Sequence, residues 1–314
     1  MTAEAGAPGR IVVVTASNSS FMPFLEDMLA SLQPVLARPD VDLACFDIGL
    51  NAAHRDWLTG LGAQIAVPGT HLGADRAQYT PALRSFLARP FLPEYFPGYA
   101  VYVWIDSDVW FQGSAVFDAY VAGALDRGMA ITHESERAYR FQPRLFAWTS
   151  KHFLLGYGLA NTAYLLNRPH LNAGLFAIRA GAPHWHEWAR RYQAAFRRTQ
   201  ALVPHDQFAL NQALHGALPG RRPKLGAALL DPTCNWICDR GVPMWNDDEA
   251  VFCKPYPPYQ KIGALHLAGP AKRKAYRVRQ TGGASFVTRI VRSASPASPV
   301  VLAATSDGPA SAAA

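Results

Sequence analysis

The apolar residues of the chain follow two alternating spacings, which predict strands followed by helices. A β-branched run at 11–15 is typical of a central parallel strand, and polar residues 18–20 after it are turn and helix-cap types. Apolar residues then recur at helical spacing over 21–36, where Pro34 is expected to end or kink the helix. Strand, loop and helix in this order open a Rossmann-like nucleotide-binding fold.

The same alternation continues to about residue 267. It predicts helices at 52–60, 183–198 and 205–215, and further strands at 41–46, 63–67, 99–105, 129–132, 175–178 and 264–267. This order predicts one α/β domain over 11–280 with a mostly parallel central sheet. Residues 1–10 are expected to be flexible. Residues 281–314 are expected to be disordered, because Gly, Ser, Ala and Pro dominate them and cannot supply a packed core.

Composition narrows the class of protein without choosing a function. Half of the 314 residues are hydrophobic and 17% are charged, which is typical of a globular domain. The net charge of +7 favours anionic partners, among them nucleic acid, acidic membranes and phosphorylated small molecules. Four irregularly spaced cysteines indicate reduced, structural thiols rather than a disulfide framework. The first ten residues lack a signal-peptide pattern, so we expect a cytoplasmic protein or one on the cytoplasmic face of a membrane.

Two carboxylates directly follow the most apolar predicted strand. Asp106 and Asp108, with Ser107 between them, come after the run at 99–105. Ligands of open α/β sheets bind at the carboxyl ends of the strands. Neighbouring carboxylates repel each other unless a cation bridges them, and their hard oxygens suit Mg²⁺ or Mn²⁺. The pattern therefore predicts a metal site for a diphosphate, with a capped turn as the plain alternative.

A second polar loop follows the last predicted strand. His266 can complete a metal shell, Gly269 allows the backbone to approach a phosphate, and Lys272 can neutralise a phosphate oxygen. Each residue also has a purely structural interpretation: a hydrogen-bonded histidine for His266 and a solvated charged face for Lys272.

Together these segments resemble glycosyltransferase family 8, the retaining family that includes glycogenin and bacterial lipooligosaccharide galactosyltransferases. The resemblance spans 11 to about 274. It implies the GT-A fold and a metal, usually manganese, held by Asp106, Asp108 and His266. It also implies a UDP-hexose donor, carrying glucose or galactose, and transfer to a glycan, glycolipid or protein acceptor with retention of configuration.

The resemblance also assigns roles to individual residues. Phe21 would stack on uracil, unless it is simply the first core residue of its helix, and Arg89 would reach the donor, with Arg84 as the alternative. Asn172, Ala173 and Gly174 are similar to the family's Asn-Ala-Gly segment facing the donor sugar, or else a turn opening a strand. Asp206 would bind sugar hydroxyls, and Gln207 would lie near the reacting carbon. The remaining implied donor contacts are Thr15, Ser17, Asn18, Ser107, Gly269 and Lys272.

Two other functions remain open at this stage. A sugar nucleotidyltransferase also uses a carboxylate-held metal, but residues 16–20 lack a glycine-rich phosphate cradle. A noncatalytic basic protein would bind nucleic acid or membrane, but nucleic acid is disfavoured because the basic residues lack interleaved aromatic platforms. The stretch from Lys272 to Arg292 has no acidic residue, and it contains the apolar residues Phe286, Val287, Ile290 and Val291. It is therefore predicted to contact an anionic membrane, with a flexible solvated tail as the alternative.

Overall fold

The computed structural model describes residues 9–69, 71, 80–200, 205–216 and 225–294. The helices are α1 (Met22–Leu36), α2 (Ala52–Gly60), α3 (Pro81–Ala88), α4 (Leu92–Tyr95), α5 (Ala115–Arg127), α6 (Pro143–Tyr157), α7 (Leu159–Leu166), α8 (His184–Thr199) and α9 (His205–His215). The strands are β1 (Ile11–Ser17), β2 (Val41–Asp47), β3 (Gln64–Ala66), β4 (Val101–Ile105), β5 (Val109–Phe111), β6 (Met129–His133), β7 (Leu171–Arg179), β8 (Ala228–Leu230), β9 (Trp236–Ile237), β10 (Met244–Asn246), β11 (Val251–Cys253), β12 (Ala264–His266), β13 (Tyr276–Arg279) and β14 (Ser285–Thr288).

A seven-stranded sheet in the order β3-β2-β1-β4-β7-β6-β8 forms the centre of the fold. Its strands pair in parallel except for β7, which runs antiparallel to both β4 and β6. The predicted mostly parallel α/β sheet is therefore confirmed. The reversed strand matters for the site, because its first residues lie beside the carboxyl end of β4.

Both faces of the sheet are covered, which explains why its central strands are mostly apolar and buried at nearly every position. In β1, Val13 packs in one core cluster with Leu25 of α1, while Val14 packs in a second cluster with Trp188 of α8. The side chain of Asn18 accepts hydrogen bonds from the backbone N–H groups of residues 20 and 21 and so starts the turn into α1. The helix does not end at Pro34 but continues to Leu36.

A smaller sheet lies next to the carboxyl end of β4. Its order is β5-β12-β9, and β12 pairs antiparallel with β5 so that His266 is opposite Val109. Because β5 begins immediately after Asp108, this pairing brings two segments that are far apart in sequence to the same edge of the main sheet.

The chain remains ordered beyond the boundary predicted at residue 280. Strands β13 and β14 form an antiparallel hairpin, and Phe286 and Ile290 are buried in a cluster with Trp110 and Trp245. The predicted disorder is therefore wrong for 281–294, because these few apolar residues suffice to anchor a Gly- and Ser-rich segment. Residues 1–8 and 295–314 lie outside the described residues, whereas Arg10 pairs with Asp42. None of the described helices is both long and apolar enough to cross a membrane.

Candidate metal and donor site

Three side chains with metal-binding atoms converge at the carboxyl end of β4. Asp106 and Asp108 occupy the turn between β4 and β5, and His266 ends β12. Nε2 of His266 lies 3.9 Å from Oδ2 of Asp106 and 3.6 Å from Oδ1 of Asp108. One ligand atom from each residue lies within 4.8 Å of the others. Two carboxylates and one imidazole at this spacing fit a divalent cation such as Mn²⁺ or Mg²⁺.

A buried amide holds the imidazole of His266 in the orientation that a metal ligand requires. Nδ1 of His266 lies 3.1 Å from Oδ1 of Asn235, and Nδ2 of Asn235 donates to Oδ1 of Asn172 at 3.0 Å. Because an amide oxygen only accepts, Nδ1 donates this hydrogen bond, which leaves Nε2 turned toward the two carboxylates, where it could bind a metal. Sequence reasoning missed Asn235, because a lone Asn two residues past a Pro-Thr pair carries no distinctive pattern.

Gly174 leaves the space that the metal-binding side chains occupy. A Cβ atom at this position would lie 2.4 Å from Cε1 of His266 and 2.9 Å from Oδ2 of Asp106. The carbonyl of Gly174 also accepts from the N–H of Asp106 at 2.8 Å. The segment Asn172–Gly174 does not open a strand at residue 175 as predicted; it lies within β7, which begins at Leu171. The antiparallel direction of β7 is what places it beside Asp106.

Arg89 joins two carboxylates, one of which belongs to the candidate metal ligand Asp106. Its guanidinium donates to Oδ1 of Asp106 at 2.5 Å and to Oδ2 of Asp206 at 2.7 Å. It is 4% exposed and stacks over the ring of Trp104, whose indole N–H also donates to Oδ1 of Asp106. Burial raises the pKa of Asp206 to about 6, although the Arg89 charge acts in the opposite direction. Arg89 therefore fixes the orientation of Asp106 from the side away from His266.

Gln207 and Asn172 belong to a hydrogen-bonded network around Glu134. Oε1 of Glu134 accepts from Nδ2 of Asn172 at 2.8 Å and from Nε2 of Gln207 at 3.3 Å, and its Oε2 pairs with Arg240 at 2.5 Å. Nε2 of Gln207 also lies 2.8 Å from Nε2 of His170. Burial alone would raise the pKa of Glu134, but the charges of His170 and Arg240 outweigh it and the pKa is lowered. Sequence reasoning missed His170 and Arg240, which no motif distinguishes.

Lys272 provides a counter-charge to Asp108. Its Nζ contacts Oδ2 of Asp108 and lies 5.7 Å from the centre of the Phe21 ring. Burial would raise the pKa of Asp108, but the charges of His266 and Lys272 lower it below its usual value. A short 3-10 turn at Gly269–Lys272 carries the lysine, and Gly269 begins this turn with a φ of 58°.

Two cavities meet at these residues. The smaller, of about 220 Å³, is lined by Ser17, Asn18, Phe21 and Ser107, and the larger, of about 1300 Å³, by Asn172, Gly174, Asp206, Gln207 and Gly269. Arg89, Asp106, Asp108 and Lys272 line both.

Two predicted donor contacts lie away from these cavities. Thr15 is fully buried inside β1, and Ala173 is fully buried inside β7. Neither lines either of these cavities, because both side chains are fully buried among their neighbours. The backbone N–H of Ala173 donates a hydrogen bond to Oε1 of Gln207 at 3.1 Å.

Comparison with known proteins supports the fold. The sequence matches no protein-family profile and no curated protein. The galactosyltransferase LgtC, solved with donor and acceptor sugar analogs, is similar over 83% of this chain and 88% of its own, with a TM-score of 0.50 and 15% identity. The bifunctional glycosyltransferase WbbM has a TM-score of 0.49 and 14% identity over 84% of this chain and 46% of its own. Mouse xyloside xylosyltransferase 1 has a TM-score of 0.46 and 13% identity over 82% and 96%. On the first of these comparisons, the protein has the GT-A glycosyltransferase fold that the sequence predicted.

Proposed function

We propose that the protein is a retaining, family 8-like glycosyltransferase that moves a hexose from a UDP-sugar and depends on Mn²⁺ or Mg²⁺. The observation that carries the proposal is the position of Asp106, Asp108 and His266, which lie at the carboxyl end of β4 where two cavities meet. With a nucleoside in the smaller cavity and a sugar in the larger, the diphosphate between them would reach the three metal-binding groups.

A bound divalent cation would stabilise the negative charge that develops on the diphosphate when the sugar leaves. The protein's own residues prepare for that charge. Arg89 and Asn235 fix two of the three ligand side chains, and Lys272 brings a cation to the same place. Because this arrangement is formed before the donor binds, little reorganisation is required during the reaction.

The network around Glu134 argues against that carboxylate as the general base of an inverting reaction. An inverting enzyme requires a general base with a pKa close to the operating pH. Glu134 instead has a lowered pKa and accepts hydrogen bonds from Asn172, Gln207 and Arg240. With that carboxylate occupied, the leaving phosphate would accept the acceptor's proton, and the amides of Gln207 and Asn172 would orient the sugar.

The test is release of UDP from a panel of UDP-sugars, with and without Mn²⁺. We expect metal-dependent release from one donor, loss of that release in Asp108→Asn, and normal release in a control variant, Asp118→Asn, whose exposed carboxylate lies on α5 and pairs with Arg38. Calorimetry of UDP with Mn²⁺ separates a missing acceptor from a wrong assignment. Absence of any UDP binding would refute the proposal.

A further inference from the structure

Two of the four apolar residues in the predicted C-terminal membrane contact are buried, and Val287 and Val291 are half-buried. Phe286 and Ile290 are buried, although the basic residues Arg273 and Lys274 remain exposed. Exposed apolar side chains are concentrated elsewhere. Of the eleven large hydrophobic residues exposed in the described part of the chain, six lie between residues 141 and 159: Phe141, Phe146, Trp148, Leu154, Leu155 and Leu159.

Helix α6 presents several of them on one side. Five exposed side chains of this helix recur at spacings of three and four residues and therefore share one side. This side, here called the α6 face, consists of Arg144, Trp148, Lys151, Leu154 and Leu155. The opposite side packs inward, where the ring of Phe153 stacks on Phe208 with centroids 4.2 Å apart. The α6 face is therefore an apolar surface flanked by cations, and a concentration of this kind marks an interaction site.

The surroundings of the α6 face are basic. No Asp or Glu occurs between Arg137 and His186 in the sequence. Exposed Arg168 follows α7, and the guanidinium of Arg198 lies 3.9 Å from the position that a Cβ would have at Gly158, where α6 meets α7. The carboxylate of Asp239, which accepts from Gln142, lies on the cavity side.

We propose that the α6 face binds the surface of an anionic phospholipid membrane. Tryptophan and leucine side chains enter the boundary between headgroups and acyl chains, while arginine and lysine bind the phosphates. A second copy of the protein is a poor partner, because a two-fold interface would place Arg144 and Lys151 near the same cations of the other copy.

The α6 face lies next to the opening of the larger cavity, so membrane binding would bring lipids close to the candidate site. Phe141, Arg144, Phe146 and Trp148 also line the larger cavity. A membrane bound to the α6 face would therefore lie at the cavity mouth and present acceptors carried on lipids to it. This last consequence rests on the proposed function, whereas binding to the membrane does not.

Sedimentation with vesicles of phosphatidylcholine alone, or mixed with phosphatidylglycerol, tests the proposal. We expect binding only to the anionic vesicles, weakened by salt. Replacing both cations, Arg144→Glu with Lys151→Glu, is expected to weaken binding at least roughly 30-fold, since each lost surface cation costs about fivefold and each new carboxylate is repelled by the anionic lipid. Leu154→Ser with Leu155→Ser removes apolar area and is expected to weaken binding at least about tenfold.

Matched control variants test whether vesicle binding is specific to the α6 face. Leu125→Ser changes an equally exposed leucine on α5, and Arg273→Glu with Lys274→Glu changes the C-terminal cations. Both controls should bind vesicles like the wild type, and thermal unfolding should show that all variants fold. Three results would overturn the proposal: no binding to anionic vesicles, binding that the α6 variants leave unchanged, or light scattering that reveals a dimer dissociated by the leucine variant. UDP binding measured by calorimetry needs no lipid, so a failure of vesicle binding would leave the test of the proposed function unaffected.

Discussion

Replacing Gly174 with alanine is expected to disable the metal site while leaving the fold intact. The added methyl group would lie 2.4 Å from Cε1 of His266, whereas ordinary contacts begin near 3.4 Å. The imidazole or the strand must therefore move by about 1 Å. The other two close neighbours, Oδ1 of Asn172 and Oδ2 of Asp106, each lie 2.9 Å away, so movement toward them is blocked as well.

A displacement of this size is large for a site that depends on geometry. Misplacing a reacting group by about 1 Å costs on the order of 100-fold in rate. Overpacking a buried position typically lowers the free energy of unfolding by about 1–3 kcal/mol. We therefore expect Gly174→Ala to remain folded, to lose on the order of 100-fold in kcat/KM for the UDP-sugar, and to bind Mn²⁺ much more weakly.

Two glycines supply controls. A Cβ at Gly123 of α5 would lie 2.7 Å from the Cβ of Ala228, a comparable clash away from the metal-binding residues, whereas a Cβ at Gly181 meets no atom within 4 Å. Gly123→Ala should lower stability without changing Mn²⁺ affinity, and Gly181→Ala should change neither. Calorimetric Mn²⁺ titration and urea unfolding of the three variants make the comparison. Wild-type Mn²⁺ affinity in Gly174→Ala would refute the reasoning.

Three individual contacts lead to further predictions. Asn235→Ala should lower Mn²⁺ affinity roughly 10- to 100-fold, because outer hydrogen bonds of this kind orient ligating histidines; an unchanged calorimetric titration would contradict this. Phe21→Ala should weaken UDP binding by about 1–3 kcal/mol if the ring stacks on uracil, and equal calorimetric affinity would instead assign the ring to helix packing. Burial raises the pKa of Asp206 from 3.8 to about 6, so the folded state holds that proton more tightly than the unfolded chain, and stability falls as the pH rises through this window. As the pH rises from about 4 to about 7, the free energy of unfolding of wild type should therefore fall by up to roughly 3 kcal/mol relative to that of Asp206→Asn. Urea unfolding with the same pH dependence in both proteins would count against this prediction.

The main sheet could be predicted wherever its signal was local. The runs that became β1, β2 and β4 are mostly apolar because helices cover both faces of the sheet, and the carboxylates after β4 mark the ligand-binding edge. The start of β7 could not be predicted in this way. Asn172 and Gly174 have poor strand propensity, and they belong to a strand because the rest of β7 pairs with β4 and β6.

The supporting side chains of the site were beyond local prediction for a different reason. Asn235 and Arg240 act through partners that are distant in sequence, namely His266 and Glu134. A single Asn or Arg in a loop forms no local sequence pattern from which a distant partner could be predicted. The C-terminal hairpin was missed because the prediction for this segment rested on its overall composition. Its few apolar residues, among them Phe286 and Ile290, are nevertheless buried and hold the hairpin against the domain.

The way the proposed metal site is assembled links it to the folding of the domain. Its ligands come from the turn after β4 and from the end of β12, and β7 separates them in the chain while adjoining Asp106 in space. Pairing within both sheets is required to bring these ligands together, so a partly folded chain lacks the site. Any cation that binds there selects the folded state, and the midpoint of unfolding should rise with the logarithm of its concentration.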